Sequence, residues 1–197
     1  MLRLALTAAL LVLPLPVTAG DLHAVARRAF SCPPLLGLPG DSGVEPRRPK
    51  TRRHRVPALG LSLRLPKGWR APSAPTSFAA EAESPDGRTT ARALVERLDG
   101  RGLREAVALH EGRSFGPSAA SEACSEALLA RYGWDAGDAA LGFYRSRLAY
   151  KGHTSAWVLF VVRDGALVTL TVETRWTERH GPDHGAVDAI LSGLRWL

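Results

Sequence analysis

Cysteine is nearly absent from this 197-residue chain, with only Cys32 and Cys124 present. Two thiols cannot build a disulfide framework or a paired-cysteine metal motif, so a small stapled scaffold and a zinc ribbon are excluded. A glycine loop followed by Lys-Ser/Thr and a dinucleotide fingerprint are also missing, which removes the common nucleotide-binding modes. Past the N-terminus no apolar run approaches the roughly 20 residues that a membrane-spanning helix needs. An excess of one charge is missing too from residues 56 to 197, which hold 17 basic and 16 acidic groups. The formal charge of +7 is concentrated instead in residues 27 to 55, where eight Lys/Arg face only Asp41 and Glu45. A basic nucleic-acid-binding face on the folded part is therefore not expected.

What is present begins with a secretory signal. Met1-Leu2-Arg3 is a short positive start, Leu4 to Leu15 an apolar run, and Val17-Thr18-Ala19 a small-residue exit. Cleavage is expected before Gly20, which predicts a periplasmic or secreted protein. Cys32 lies too far from that point to carry a lipid anchor. The 178 residues from Gly20 onward suffice for one domain without disulfides.

Oxidising export would allow Cys32 and Cys124 to pair, a bridge contributing about 4 kcal/mol by the chain-entropy model. Alternatively Cys124 is a small buried thiol on an alanine-rich helix and Cys32 is free. Both readings stand at this stage.

The stretch from residue 20 to 58 reads as an N-terminal segment and linker. It is rich in proline and glycine, has few core-forming residues, and carries the basic cluster Arg47, Arg48, Lys50, Arg52, Arg53 and Arg55. Those six residues are the candidate binding site for an anionic surface or partner, with a solvated spacer as the alternative. Each would contribute about 1 kcal/mol beside an anionic membrane, less after screening and chain ordering.

From residue 59 the texture changes. Leu61, Leu63 and Leu65 alternate with Ser62 and Arg64 as in a half-buried strand, and Phe78, Ala80 and Ala82 alternate again. Asp86-Gly87 leads to a strand over 89–98. Leu103, Ala106, Val107 and His110 carry the helical spacing, and a second helix is expected from Pro117 to Tyr132, ended by Gly133. Strands follow over 140–150, 154–163 and 166–175, the last two joined by Asp164-Gly165. Ala156 to Val162 is apolar on both faces, so it belongs mid-sheet with cover on each side. Val187, Ile190, Leu191 and Leu194 form a closing helical stripe. This order predicts an α+β domain over 59–197, a mainly antiparallel β-sheet sandwiched by helices in α/β/α layers.

With these elements placed, Gly60-Leu61-Ser62-Leu63-Arg64-Leu65-Pro66-Lys67-Gly68-Trp69 resembles the start of the PsbP-like and DcrB-like domains. The closing pattern resembles them too, from the Val161-Val162-Arg163-Asp164-Gly165 hairpin through Leu170-Thr171 to Ile190-Leu191-Ser192-Gly193-Leu194. The resemblance implies the Mog/PsbP-type antiparallel sheet between helices. It also implies binding without catalysis, since the group spans a photosystem accessory subunit, a Ran-binding import factor, envelope proteins and chaperones of secreted effectors. It carries over no catalytic residues and no cofactor, and fold by itself is a weak guide to function.

Motifs that suggest chemistry have plainer explanations. Gly40-Asp41-Ser42-Gly43 looks like a serine-protease nucleophile loop but lies in the linker, away from any scaffold for a base and an oxyanion hole. His180, Asp183 and His184 have metal-ligand spacing only on a helix, which Gly181-Pro182 interrupts; Asp183 is better read as a helix cap. His110 reads as a histidine at the core edge, Trp69, Trp157, Trp176 and Trp196 as packing residues, and Trp134 as the tryptophan to check for exposure. The expected function is that of a non-catalytic exported accessory or binding protein of the envelope, with chaperoning of an exported protein as the alternative and hydrolysis behind both. No enzyme activity, cofactor, metal or nucleic-acid partner is expected.

Overall fold

The computed structural model describes residues 49–71, 73–76, 79–114, 120–123, 126–147, 152–177 and 181–197. The expected signal peptide, the Gly40–Gly43 loop, Arg47, Arg48, Cys32, Cys124 and His180 fall outside them.

Seven strands form the main sheet in the order β3-β4-β5-β9-β8-β7-β6, every neighbouring pair antiparallel. These are β3 (Ser73–Thr76), β4 (Ala79–Glu83), β5 (Thr89–Arg97), β6 (Ala120–Ala123), β7 (Ala139–Arg147), β8 (Gly152–Arg163) and β9 (Ala166–Thr177). The β8–β9 hairpin closes on Asp164 and Gly165, both at positive φ (50° and 73°), with Arg163 opposite Ala166. Two left-handed residues match the twist of the flanking strands, which is why Asp-Gly serves here.

Both faces of β8 are buried, as its continuous apolar run requires. On one face the rows Ala80–Ala93–Leu170–Leu159–Leu141 and Ala82–Ala91–Val172–Trp157–Phe143 run across five strands. The alanines of β4 and β5 leave depth for large side chains packed over them. That cover comes from Leu61, Leu63 and Leu65 of β2 (Leu61–Pro66), from Leu129 and Tyr132 in and after α2 (Glu126–Arg131), and from Val187, Ile190 and Leu191 of α3 (His184–Leu191). The opposite face carries Ala156, Val158, Phe160 and Leu167, covered by Leu103, Ala106 and Val107 of α1 (Leu103–Ser114). Each large side chain so buried contributes about 1.5–3 kcal/mol.

The α+β class and the antiparallel sheet between helices agree with expectation, and four particulars do not. Residues 51–56, read as linker, form strand β1 (Thr51–Val56) against β2. Arginine-rich composition argues against a strand, but pairing with β2 outweighs propensity. Ala120–Ala123, placed in a helix from Pro117 to Tyr132, is instead edge strand β6 beside β7, and only Glu126–Arg131 is helical. Strand β3 was not anticipated. Nor was β10 (Arg195–Trp196), which joins β1 and β2 in a second, three-stranded sheet ordered β1-β2-β10. The cover on the α3 side is therefore helix plus sheet. Among the described residues no helix is long and apolar enough to cross a membrane.

Candidate anionic-partner surface

The small sheet turns Leu61, Leu63 and Leu65 inward, so Ser62 and Arg64 must face out. Register then decides what joins them. Arg53 lies opposite Arg64, while Arg55 and Arg195 lie opposite Ser62 from its two sides. Four arginines from three strands thus share one face, and all four are exposed. At its centre Ser62 is fully buried, its Oγ accepting a hydrogen bond from Arg53 Nη1 at 3.4 Å.

The hydrogen-bond phase sharpens this arrangement. Lys67 N donates to Lys50 O at 2.7 Å, and the alternation of an antiparallel ladder extends that phase to residues 52, 54 and 56 of β1. Leu197 N donates to Gly60 O at 3.0 Å, which puts Gly60, just before β2, and Ser62 within it in phase with β10. The two observations agree. Arg53 and Arg64 are therefore a non-hydrogen-bonded pair, the kind whose side chains stand closer, and like charges placed directly opposite are destabilising. Gly193 makes the crossing possible: a Cβ there would meet Arg64 Cβ at 2.4 Å, so only glycine lets the chain pass from α3 to β10.

Elsewhere arginines find acids: Arg70 with Glu83 at 3.1 Å, Arg101 with Asp99 at 3.4 Å, Arg163 with Asp164 at 3.2 Å. Among the described residues Arg53, Arg55, Arg64 and Arg195 have no such partner. His54 adds no charge near neutral pH, because burial and then Arg52 hold its pKa below the usual histidine value.

Of the six basic residues proposed from sequence, Arg53 and Arg55 lie on this face, Arg52 is exposed on the reverse face of the same strand, and Lys50 is exposed just before it. Arg64 and Arg195 were missed. Arg64 was visible as the exposed position in the leucine alternation; Arg195 had no local signal, since its place depends on β10 pairing with β2.

The second surface lies across the main sheet, beside α1. An open recess of ≈ 220 Å³ is lined by Glu96, Asp99, Arg101, His110 and Arg113 among others, and His110 also borders a neighbouring recess of ≈ 260 Å³ with Glu81, Arg92 and Glu173. Its charges are matched, with Arg101 on Asp99 and Arg113 at 4.0 Å from Glu96. His110 is 8% exposed with its ring edge on Phe160 at 5.3 Å, and burial lowers its pKa while Glu96 and Glu111 oppose the shift. Next to it Tyr144 donates to Glu111 at 2.5 Å, burial and that bond pushing the phenol pKa up.

The other described residues singled out from sequence cap or pack. Asp183 caps α3, accepting from Ala186 N at 3.0 Å. His184 rests its ring edge on Trp157. Trp134 is half-buried against Trp196 rather than displayed, and Arg163 stacks over Trp196 at 4.7 Å.

No family model matches the sequence, and no curated protein sequence matches it. The structure is similar to the Ran-binding protein Mog1p of Saccharomyces cerevisiae, at a TM-score of 0.53 and 10% identity over 75% of this chain and 95% of that one. It also resembles PsbP (CyanoP) from Synechocystis sp. PCC 6803, at a TM-score of 0.47 and 14% identity, over 82% of this chain and 99% of that one. At such identities the likeness is one of fold, and the fold is of the Mog1p type.

Proposed function

We propose that this chain is a non-catalytic binding protein of the cell envelope, exported by its N-terminal signal and docking to an anionic partner through the outer face of its small sheet. One observation carries the reading: four exposed arginines stand side by side on one face, two of them directly opposed, with no carboxylate partner among the described residues. Such repulsion costs stability within the chain and is relieved when an anion arrives. Arg47, Arg48, Lys50 and Arg52 extend the same charge along the chain. That Mog1p binds a protein, Ran, supports a protein-binding use of this fold.

Chaperoning would need a large apolar surface, and among the described residues the exposed large hydrophobic side chain is Leu197, at the chain end. The arginine face is therefore preferred.

The test is retention of the chain on envelope fractions as salt is raised, beside a variant with Arg53, Arg55, Arg64 and Arg195 all changed to Gln. Loss of salt-sensitive retention in the variant supports the proposal. Equal retention by both proteins rejects the arginine face as the docking surface.

A further inference from the structure

We propose, resting on the anionic-partner reading, that the partner is a protein presenting an extended acidic segment, which adds to β1 as a fourth strand of the small sheet. Among the described residues strand β1 is the edge of that sheet. Because residues 50, 52, 54 and 56 turn their backbone groups to β2, Thr51, Arg53 and Arg55 turn their N–H and C=O groups to the open edge. Two of those residues are the arginines of the outer face. Backbone pairing groups and guanidinium groups thus project from the same positions, and a strand laid along the edge would place its alternate side chains beside Arg53 and Arg55.

Charge selects the occupant. A bare edge invites any strand, and basic residues on it discourage pairing with another copy of this chain, since arginine would meet arginine. The same charges favour a strand with carboxylates at positions i and i+2 on the outer face, where Arg64 stands one strand further in. Exposed Arg52 favours an acid on the reverse face as well, while neutral His54 makes no such demand. Main-chain bonds would supply affinity and the alternate acids specificity, as in other strand-addition complexes. A phosphate-bearing surface would use the guanidinium groups and leave the edge amides untouched.

The experiment is residue-resolved amide exchange on the full chain with a synthetic octapeptide of alternating Glu and Thr, a copy N-methylated at every second residue, and anionic phosphatidylglycerol vesicles as a separate arm. Amides of Arg53 and Arg55 should exchange fast in the free chain and slow on peptide binding, whereas those of Arg52, His54 and Val56 are protected throughout. The N-methylated copy should bind about tenfold or more weakly, since it loses main-chain hydrogen bonds to the edge. Equal binding of both peptides with no slowing at Arg53 and Arg55 would overturn strand addition and leave the arginine face as a side-chain docking site. Vesicle binding without peptide binding would overturn it in favour of a lipid partner. Failure of peptide and vesicles alike would count against both this inference and the function it rests on.

Discussion

The two surfaces flanking the main sheet treat charge in opposite ways. Beside α1, arginines and acids alternate at ion-pair distance around a histidine that burial holds neutral. On the small sheet four exposed arginines have no acid partner among the described residues. Both surfaces pack on the same main sheet, so composition alone does not explain the difference. Matched charges settle within the chain, and unmatched ones remain available to a partner. The comparison teaches that strand register can sort charges so that one surface is matched and another strongly polarised.

The largest effects test whether the two sides are one cooperative unit. Phe160→Ala under α1 should cost about 3–5 kcal/mol and Leu63→Ala under the small sheet about 2–5 kcal/mol, both read from urea unfolding. Each should shift a single transition. A separate early transition in Leu63→Ala would show that the small sheet melts alone and would break the comparison at its base.

Binding comes next. Changing Arg53, Arg55, Arg64 and Arg195 together to Gln should lower affinity for anionic material by about 100-fold or more at low salt, taking about 1 kcal/mol per residue less screening. Changing Arg101 and Arg113 to Gln should leave it within about twofold, because those side chains sit among acids. Equal losses from the two sets, measured by titration at several salt concentrations, would erase the distinction between the surfaces.

Acid should weaken the α1 side through His110. Its folded pKa is depressed, so the unfolded state binds the proton more readily, and stability falls as pH drops below about 6.5 toward the lower folded value. His184 beneath α3, also lowered by burial, acts in the same direction. His110→Phe should flatten the slope of stability against pH between 7 and 5; an unchanged slope would assign the sensitivity to His184 and His54, whose values are also lowered.

The smallest expected effect is the sharpest. Arg64→Gln relieves the opposed Arg53–Arg64 pair and should raise stability by about 0.2–1 kcal/mol while binding weakens. A fall in stability would mean that the arginine stem packs against the sheet and that its charge was tolerated at no cost.

Sequence legibility followed the range of the interactions. The β8–β9 hairpin was readable because Asp164-Gly165 and the apolar runs beside it act locally, and α1 because its stripe recurs at helical spacing. Asp183 was recognised as a cap for the same reason. Strand β1 was missed because its arginines look like a solvated tail until β2 is beside them. Strand β6 was missed because Ala120 to Ala123 sits in an alanine-rich stretch with helical spacing, and only pairing with β7 decides otherwise. The candidate site was half visible: Lys50, Arg52, Arg53 and Arg55 stood out as a cluster, but their arrangement did not.

By itself, the sequence determined the layered α+β class, the central buried strand and the concentration of positive charge near the N-terminal side of the domain. These rest on periodicity and composition, which act over a few residues. Only the tertiary structure decided that the charge lies on a sheet, that Arg64 and Arg195 join it, and that the backbone of Arg53 and Arg55 opens to an edge. Register pairs residues as far apart as Ser62 and Arg195, and no local pattern encodes which strands will meet.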